Sequence, residues 1–241
     1  WSSCSPDFGV QGVVDRFKQI EPKVLITSDY YFYNGKKINI LEKIDDVLKK
    51  IPSIKKTIIF HYNKKEKNEI NKFIKFDEAL NDSELDETFE RFEFNHPIYI
   101  LYSSGTTGKP KCITHGTGNV LIEHNKEFML HCDIRSNEKL FYYTTTGWMM
   151  WNWLVGGLAI GSSIFLFDGA PTYPKIDVLL EYCQNNKIYL FGVSAKYIDH
   201  LKNEKFNSNH LDLTSIKIIA STGSPLSEES FRYVYENIKK D

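Results

Sequence analysis

The sequence lacks the features of a membrane-spanning, disulfide-linked or nucleic-acid-binding protein. Its longest apolar runs fall well short of the ~20 residues that a membrane-spanning helix needs. The four cysteines stand far apart and form no Cys-x-x-Cys pair, at Cys4, Cys112, Cys132 and Cys183, so we expect free thiols in a reducing cytoplasm. A formal net charge of −1 over 241 residues gives no reason to expect a nucleic-acid or membrane surface.

Several other signals are missing. The chain begins at Trp1, has no basic-then-apolar leader and ends in a charged helical segment, so we expect a piece of a longer protein. It contains no Gly-x-Ser-x-Gly and no recognisable Ser/His/Asp arrangement. His124 and His131 have the spacing of one helix face but no third ligand at metal spacing, so we expect no metal site within the chain.

Apolar periodicity predicts helices alternating with strands, an order that favours parallel sheets with crossover helices. We expect an α/β fold of two lobes, residues 1–135 and 136–241, which meet in the polar turn at 133–138. Residues 63–93 are charged, and we expect a solvated excursion with one or two short helices and no chemistry. The predicted helices are residues 40–51, 119–132, 148–158, 176–185, 195–203 and 227–239, preceded by helical spacing within residues 3–20 after a start signal at 5–7, and the predicted strands are 23–27, 57–60, 98–102, 111–117, 140–144, 163–167, 189–193 and 216–220. Spacing places Ile44 and Val47 on one apolar helix face, Asn34-Gly35 predicts a tight turn, and Ser227 is the predicted N-cap of the last helix.

A loop rich in glycine, hydroxyl and lysine residues follows the predicted strand 98–102. Glycines allow close approach of the backbone to a ligand, and successive N–H groups in such a turn bind anions. Lysines add charge that complements phosphate, so the stretch is predicted to grip a polyphosphate. A plain surface turn is the alternative, and a Walker A motif is excluded because Pro110 follows Lys109. The candidate phosphate ligands are Ser103, Ser104, Gly105, Thr106, Thr107, Gly108, Lys109 and Lys111.

Taken whole, Tyr-Ser-Ser-Gly-Thr-Thr-Gly-Lys-Pro-Lys at 102–111 resembles the phosphate loop of the acyl-adenylate-forming enzymes. Within their acyl-CoA synthetase branch, the flanking segments 1–9, 94–97, 144–153 and 221–226 are most similar to the acetoacetyl-CoA synthetases. The resemblance implies a two-step, ATP-dependent ligase that forms acetoacetyl-AMP and passes the acyl group to coenzyme A. Lys109 and Lys111 would then be catalytic, because they relieve charge on the departing pyrophosphate.

The same resemblance implies roles for other positions. Trp148, Met149, Met150 and Thr222 would border the acyl group, and Gly223, Ser224 and Pro225 would pack on adenine. Tyr33 and Lys36 would bind the nucleotide end of CoA, although a solvated loop explains them equally well. Acetyl-CoA synthetases usually carry Asp at the place of Thr145 and Glu at the place of Ser224. For Trp151 and Trp153, core packing and a pocket wall are equally compatible with the sequence.

The resemblance also implies that the chain is an incomplete N-terminal domain. The main Mg²⁺ ligand, the hinge and the C-terminal domain would lie beyond residue 241, so we expect the isolated chain to be inactive. An acetyl- or other short-chain acyl-CoA synthetase remains an alternative. A nucleotide-binding module without catalysis is an alternative of another class, and a downstream Thr-Glu motif and distal Lys would distinguish the two. The acyl substrate and the oligomeric state do not follow from the sequence.

Overall fold

The computed structural model describes residues 1–63, 72–80, 88–103 and 108–240. Contacts between Cα atoms divide the chain into two compact units, Trp1–Gly118 and Asn119–Asp241. Helices and parallel strands occur in both, so the predicted α/β class is confirmed. Within the described ranges, no helix is long and apolar enough to span a bilayer. The lobe boundary after Arg135 stays a prediction.

The first unit contains a parallel sheet and two antiparallel hairpins. Strands β1, β4 and β5 form the parallel sheet in that spatial order, while β2 pairs with β3 and β6 pairs with β7. The elements are α1 (Val10–Ile20), β1 (Val24–Ser28), β2 (Tyr30–Tyr33), β3 (Lys36–Asn39), α2 (Leu41–Lys50), β4 (Lys56–Phe60), β5 (Ile74–Lys75), α3 (Phe76–Ala79), β6 (Pro97–Ser103) and β7 (Lys111–Gly116).

The core of this unit forms where the apolar faces of α1 and α2 meet. Val14 and Phe17 of α1 pack with Val47 of α2 and with Ile51, the residue that follows α2. Their spacing of three or four residues places them on one side of each helix. The turn between β2 and β3 is made by Asn34 and Gly35 at φ 50° and 75°. Two positive φ angles are characteristic of a tight hairpin turn, so the predicted Asn-Gly turn is confirmed.

The second unit is built on one four-stranded parallel sheet with the spatial order β11-β10-β8-β9. Because the strands are parallel, their carboxyl ends share one edge, where ligands bind in open α/β sheets. The elements from residue 117 onward are α4 (Thr117–Lys126), β8 (Lys139–Tyr142), α5 (Met149–Gly156), β9 (Ser163–Phe165), α6 (Val178–Asn186), β10 (Leu190–Ser194), α7 (Ala195–Asn203), β11 (Ile218–Thr222) and α8 (Glu228–Tyr233).

Several boundaries differ from the prediction. The helices predicted over 119–132 and 227–239 each end in a π-helical turn, Glu127–His131 and Val234–Ile238, and α5 continues as a 3₁₀ turn, Gly157–Ile160. The excursion at 63–93 contains the short strand β5 as well as the predicted short helix. Ser227 accepts a hydrogen bond from the N–H of Ser230 at 3.2 Å, so the predicted N-cap of α8 is confirmed.

Candidate functional site

The ladder between β6 and β7 holds both ends of the candidate phosphate loop. Ser103 pairs with Lys111, and Tyr102 pairs with Cys112. Residues 104–107 lie outside the described part of the chain, so the structure does not place Ser104, Gly105, Thr106 or Thr107. The loop therefore begins and ends at one pair of facing residues, Ser103 with its hydroxyl on β6 and Lys111 with its ammonium group on β7.

The returning half of the loop presents its charges to solvent. Gly108 has a φ of 130°, a backbone angle that residues with a side chain rarely adopt. A Cβ atom placed on Gly108 would have no atom within 4 Å. Lys109 and Lys111 are exposed. An open glycine followed by two exposed lysines leaves backbone and ammonium groups accessible to an anion. This arrangement is compatible with the predicted phosphate site and equally with a surface turn.

Helix α1 braces the loop from the side. Gln19 Nε2 donates to the carbonyl oxygen of Pro110 at 2.9 Å and to that of Asp15 at 2.6 Å. The bond to Pro110 fixes the backbone between the two lysines. Sequence reasoning missed this residue, since a glutamine on an exposed helix face carries no signal for a contact 91 positions away.

The N-terminal residues lie along β6. The backbone nitrogen of Trp1 donates to the carbonyl oxygen of Ile98 at 3.0 Å, and the N–H of Ile100 donates to the carbonyl oxygen of Trp1 at 2.9 Å. The Trp1 ring packs edge-on against Tyr99 at 5.8 Å, and Tyr99 in turn packs against His115 of β7 at 4.9 Å. Burial lowers the pKa of the His115 imidazole below its usual value, so this surface favours a neutral ring.

Tyr102 anchors the strand that enters the loop. Its hydroxyl lies 3.0 Å from Ser2 Oγ, and the Arg16 guanidinium lies 5.8 Å from the centre of its ring. Burial is the largest cause that raises the pKa of Tyr102 to about 12. The phenol is therefore neutral at physiological pH and supports the loop by packing and hydrogen bonding rather than by charge.

The structure brings the two candidate CoA residues together on one hairpin. Tyr33 and Lys36 pair directly across the turn between β2 and β3, and both are exposed. Since Asn34 and Gly35 make that turn, the phenol and the ammonium group flank the tip of the hairpin. A ring can stack on a base and a cation can pair with a phosphate, and the assignment of this pair to CoA stays a prediction.

A buried carboxylate that sequence reasoning missed fixes the base of this hairpin. Asp29 is 1% exposed. Its Oδ1 accepts the N–H of Tyr30 at 2.8 Å and the N–H of Tyr62 at 3.0 Å, while Oδ2 lies 3.0 Å from His61 Nδ1. Three contacts satisfy a group that would otherwise be costly to bury, and together they join the start of β2 to the segment after β4.

In the second unit, one hydrogen bond joins the carboxyl ends of β8 and β11. The hydroxyl of Tyr142 lies 2.8 Å from Thr222 Oγ1 and 3.2 Å from the carbonyl oxygen of Val193 on β10. Burial raises the pKa of Tyr142 above its usual value, so the phenol keeps its proton. Tyr142 is buried and Thr222 is exposed. The candidate acyl residue Thr222 is thus hydrogen-bonded to Tyr142, a buried residue that was not predicted from the sequence.

The other candidate acyl residues start helix α5. Trp148 and Met149 are 64% and 45% exposed, and Met150 is half-buried. Trp153, by contrast, belongs to the core, where its ring lies 4.3 Å from that of Phe128. Of the two interpretations left open for Trp153, the structure favours core packing. Trp148 and Met149 remain accessible to a ligand.

The candidate adenine residues follow β11 and are exposed. Gly223 has φ 92° with no atom within 4 Å of a Cβ placed on it, so the turn requires glycine for its conformation and not for space. Ser224 and Pro225 line a cavity of about 370 Å³ with apolar side chains that include Ile219, Leu226 and Phe231. Lys217, Ser221 and Lys239 also line it, and a cavity with mixed polar and apolar walls beside exposed backbone is compatible with packing of a base.

Metal binding has no counterpart in the described residues. Among residues 1–63, 72–80, 88–103 and 108–240, no three His, Cys, Asp or Glu side chains lie close enough together to hold an ion. The cysteines are free thiols.

Comparison with known proteins places these features in a family. The sequence profile of the family described as "AMP-binding enzyme" matches residues 2–240. Acetoacetyl-coenzyme A synthetase of Rhizobium meliloti (strain 1021) is 47% identical over 247 residues, which cover 100% of this chain and 38% of that protein. Acetoacetyl-CoA synthetase of Gallus gallus is 45% identical over 249 residues, with 99% and 37% covered.

More distant relatives extend the comparison. Malonamoyl-CoA synthetase of Penicillium aethiopicum is 36% identical, and the match covers 98% of this chain and 36% of that protein. The solved structure of acetoacetyl-CoA synthetase from Streptomyces lividans superposes with a TM-score of 0.91 at 38% identity, covering 98% of this chain and 36% of that chain. The chain thus spans less than two fifths of the length of these relatives.

Proposed function

Because the chain belongs to the AMP-binding enzyme family, we propose that it serves an ATP-dependent ligase that activates acetoacetate and transfers the acyl group to coenzyme A. The observation that carries this proposal is the match to acetoacetyl-CoA synthetases at 45–47% identity over essentially the whole chain. The name of the malonamoyl-CoA relative supports a similar acid as substrate. In malonamate, as in acetoacetate, one CH₂ group separates a carbonyl group from the carboxylate.

In the first proposed step, a carboxylate oxygen of the acid attacks the α-phosphorus of ATP. The bond between that phosphorus and the bridging oxygen breaks, and pyrophosphate departs with the electron pair. Positioning and charge neutralisation dominate reactions of this type. Lys109 and Lys111 would neutralise the leaving group, which their exposure on the returning half of the loop supports.

The remaining loop residues would hold the β- and γ-phosphates through hydroxyl and backbone N–H groups. The antiparallel pairing of Ser103 with Lys111 supports this assignment, because it fixes the entrance of the loop. The positive φ of Gly108 supports it as well, since it frees the backbone for close approach. The proposed phosphate ligands are Ser103, Ser104, Gly105, Thr106, Thr107, Gly108, Lys109 and Lys111.

The second unit would bind the acyl group and the adenine. Trp148, Met149, Met150 and Thr222 would border the acyl chain. The exposure of Trp148 and Met149 after the carboxyl end of β8, and of Thr222 at the carboxyl end of β11, supports this role. Gly223, Ser224 and Pro225 would pack on adenine. The cavity that Ser224 and Pro225 line together with Ile219, Leu226 and Phe231 supports this role.

In the second proposed step, the CoA thiol attacks the acyl carbon of the adenylate, the bond to AMP breaks, and the thiol proton is released. Tyr33 and Lys36 would bind the nucleotide end of CoA from the tip of the β2–β3 hairpin. Their pairing across the turn supports a joint role. An aromatic face beside a cation suits a base that carries a phosphate.

A Mg²⁺ ion that binds together with a nucleotide usually takes only one or two protein carboxylates besides phosphate oxygens and water. The described residues contain no group of three carboxylate, imidazole or thiolate side chains, and we derive no step through the ion. We propose that its protein ligand, the hinge and the C-terminal domain belong to the remainder of the protein, which this chain would need for turnover. We also propose two lobes that meet after Arg135 and a cytoplasmic location, which fits four free thiols.

The test uses the full-length protein with ATP, Mg²⁺ and a panel of acetate, butyrate and acetoacetate. ATP–pyrophosphate exchange reports the first step, and thioester formation with CoA reports both. We expect exchange with acetoacetate to exceed exchange with the other acids. Substitutions Lys109→Met and Lys111→Met should each lower kcat/KM by about 10²-fold, the effect of removing one donor to developing charge.

Lys50→Met serves as the matched control, because Lys50 is exposed at the end of α2, outside the loop. It should leave exchange unchanged. Tight nucleotide binding without exchange for any acid would overturn the ligase proposal and favour a binding module. Exchange with acetate in preference to acetoacetate would overturn the substrate assignment alone.

A further inference from the structure

Tyr142 is a buried phenol whose hydroxyl reaches the exposed hydroxyl of Thr222. The side chain starts on β8 and passes beside β10, and its oxygen ends 2.8 Å from Thr222 Oγ1 on β11. The buried phenol is therefore in hydrogen-bond contact with a residue that a substrate can reach.

Packing fixes the phenol in one place. A Cβ on Gly192 would lie 2.0 Å from the Tyr142 ring, so the ring occupies space that only glycine leaves open. The ring of Trp153 packs edge-on against it at 6.1 Å. A ring held on two sides cannot follow Thr222 if that side chain rotates. The phenol oxygen of Tyr142 is therefore a fixed partner for the Thr222 hydroxyl.

Proton counting shows what the pair can offer. Each hydroxyl carries one proton, and the 2.8 Å separation from Thr222 is a normal O–H···O distance, while the 3.2 Å separation from the Val193 carbonyl oxygen is long for such a bond. When Tyr142 donates to Thr222 Oγ1, the proton of Thr222 is available to a ligand. A chain of two hydroxyls that ends on a carbonyl oxygen is cooperative, since each bond polarises the next.

We propose that Tyr142 is a positioning residue that orients the Thr222 hydroxyl to donate a hydrogen bond to the 3-oxo oxygen of the acid, and that this pair selects 3-oxo acids over saturated acids of the same length. The inference rests on the proposed function. Acetoacetate and butyrate have the same carbon chain and differ in a C=O group in place of CH₂ at that carbon. A pocket that reads only size accepts both acids, whereas a directed donor separates them.

The expected preference follows from one hydrogen bond. A neutral hydrogen bond changes affinity by about tenfold, and a site built around a polar group rejects an analogue that lacks the partner more strongly when it is closed to water. Butyrate leaves the Thr222 hydroxyl without its ligand partner. We therefore expect at least a tenfold higher kcat/KM for acetoacetate, mostly through KM, since the bond forms when the acid binds.

The test is a double-substitution cycle on the full-length enzyme, read by ATP–pyrophosphate exchange with acetoacetate and with butyrate. Thr222→Val removes the donor at nearly constant volume and should lower the acetoacetate-to-butyrate ratio of kcat/KM about tenfold. Thr222→Ser keeps the donor and should retain most of the ratio. Tyr142→Phe removes one oxygen and should lower the ratio about threefold.

The combination decides whether the two residues act together. Tyr142→Phe should have no further effect on the ratio in the Thr222→Val background, since groups that act through each other are not additive. Equal loss for both acids in Tyr142→Phe, or additive effects in the double variant, would overturn the proposal by showing a purely structural role. Thr222 lies at the surface, so its variants keep the test valid if Tyr142→Phe folds poorly.

Failure of the proposed function gives a different result. If the unaltered enzyme activates neither acid, the ligase assignment fails and this inference falls with it. If it activates butyrate as well as acetoacetate, the ligase assignment stands and the selection by Tyr142 and Thr222 is overturned.

Discussion

Gln19 and Pro110 lie 91 residues apart in the sequence, and the Gln19 side-chain amide donates a 2.9 Å hydrogen bond to the Pro110 carbonyl oxygen. Proline has no N–H to donate, so its carbonyl oxygen is the backbone group of Pro110 to which α1 can form a hydrogen bond. Pro110 stands between the two lysines proposed to face pyrophosphate. Helix α1 therefore helps to position the ammonium groups of Lys109 and Lys111 through a neutral side chain.

The first prediction concerns this brace. Gln19→Ala should raise KM for ATP about threefold to tenfold, because loss of a neutral hydrogen bond costs about 0.5–1.5 kcal/mol and loosens the lysine segment. Gln11→Ala is the matched control, since Gln11 is on the same helix and its side chain donates to Asp15 of that helix at 2.7 Å. Steady-state kinetics of the full-length enzyme measure both. An equal change in the two variants would contradict a specific role for Gln19.

Gly192 should not tolerate a side chain. Gly192→Ala places a Cβ 2.0 Å from the Tyr142 ring, and overpacking of a core typically costs about 1–3 kcal/mol. We expect a lower free energy of unfolding in urea and a lower acetoacetate preference. Gly12→Ala should have the opposite sign, because its Cβ would meet only ordinary contacts at 3.7 Å or more in helix α1 and alanine favours helix by about 1 kcal/mol. Destabilisation of both to the same extent would refute this account.

Asp29 should matter for stability through its two backbone partners. Asp29→Ala leaves the N–H groups of Tyr30 and Tyr62 without their acceptor, and we expect a loss of about 2–4 kcal/mol. Asp29→Asn keeps an oxygen at Oδ1 and should lose about 1 kcal/mol. Urea unfolding followed by tyrosine fluorescence compares the two. If they lose the same stability, the hydrogen bonds to Oδ1 are not what holds this hairpin.

His115 should make stability depend on pH. Burial lowers the pKa of its imidazole from 6.5 in the folded state, so the unfolded chain binds more protons once the pH falls below about 6.5. The free energy of unfolding therefore decreases as the pH falls from about 6.5 toward the lowered pKa of the folded state. At still lower pH this contribution stays lost. His115→Gln should remove this component.

The control for His115 is His131→Gln, since the His131 ring is 59% exposed. The free energy of unfolding, measured from pH 7.5 to pH 5, should fall more steeply in the unaltered protein than in His115→Gln. The His131→Gln profile should follow the unaltered protein. Parallel profiles for the unaltered protein and His115→Gln would exclude His115 as the source.

Local patterns predicted much of the fold because local physics decides those features. The apolar face of α2 was predicted from spacing alone, and Ile44 and Val47 are buried as expected. The Asn34-Gly35 turn and the Ser227 cap depend on single residues with strong conformational preferences. Strand β5 was missed because two residues in a charged segment give no periodic signal.

The site was predictable only in part. The phosphate loop is one continuous motif, and the structure fixes its ends at Ser103 and Lys111, while its role as a phosphate ligand stays a prediction. Gln19, Asp29 and Tyr142 were not predicted, because each acts through a partner that only the folded topology brings near. Tyr142 and Thr222, for example, are 80 residues apart.

The fit of Tyr142 against Gly192 also constrains how a different substrate range could evolve. Position 222 is at the surface, so a single exchange there can alter the donor without disturbing the interior. At position 142 a smaller side chain leaves a void and a larger one has no room, which means that change there requires a second, compensating change. Divergence among descendants of this chain would therefore begin at position 222.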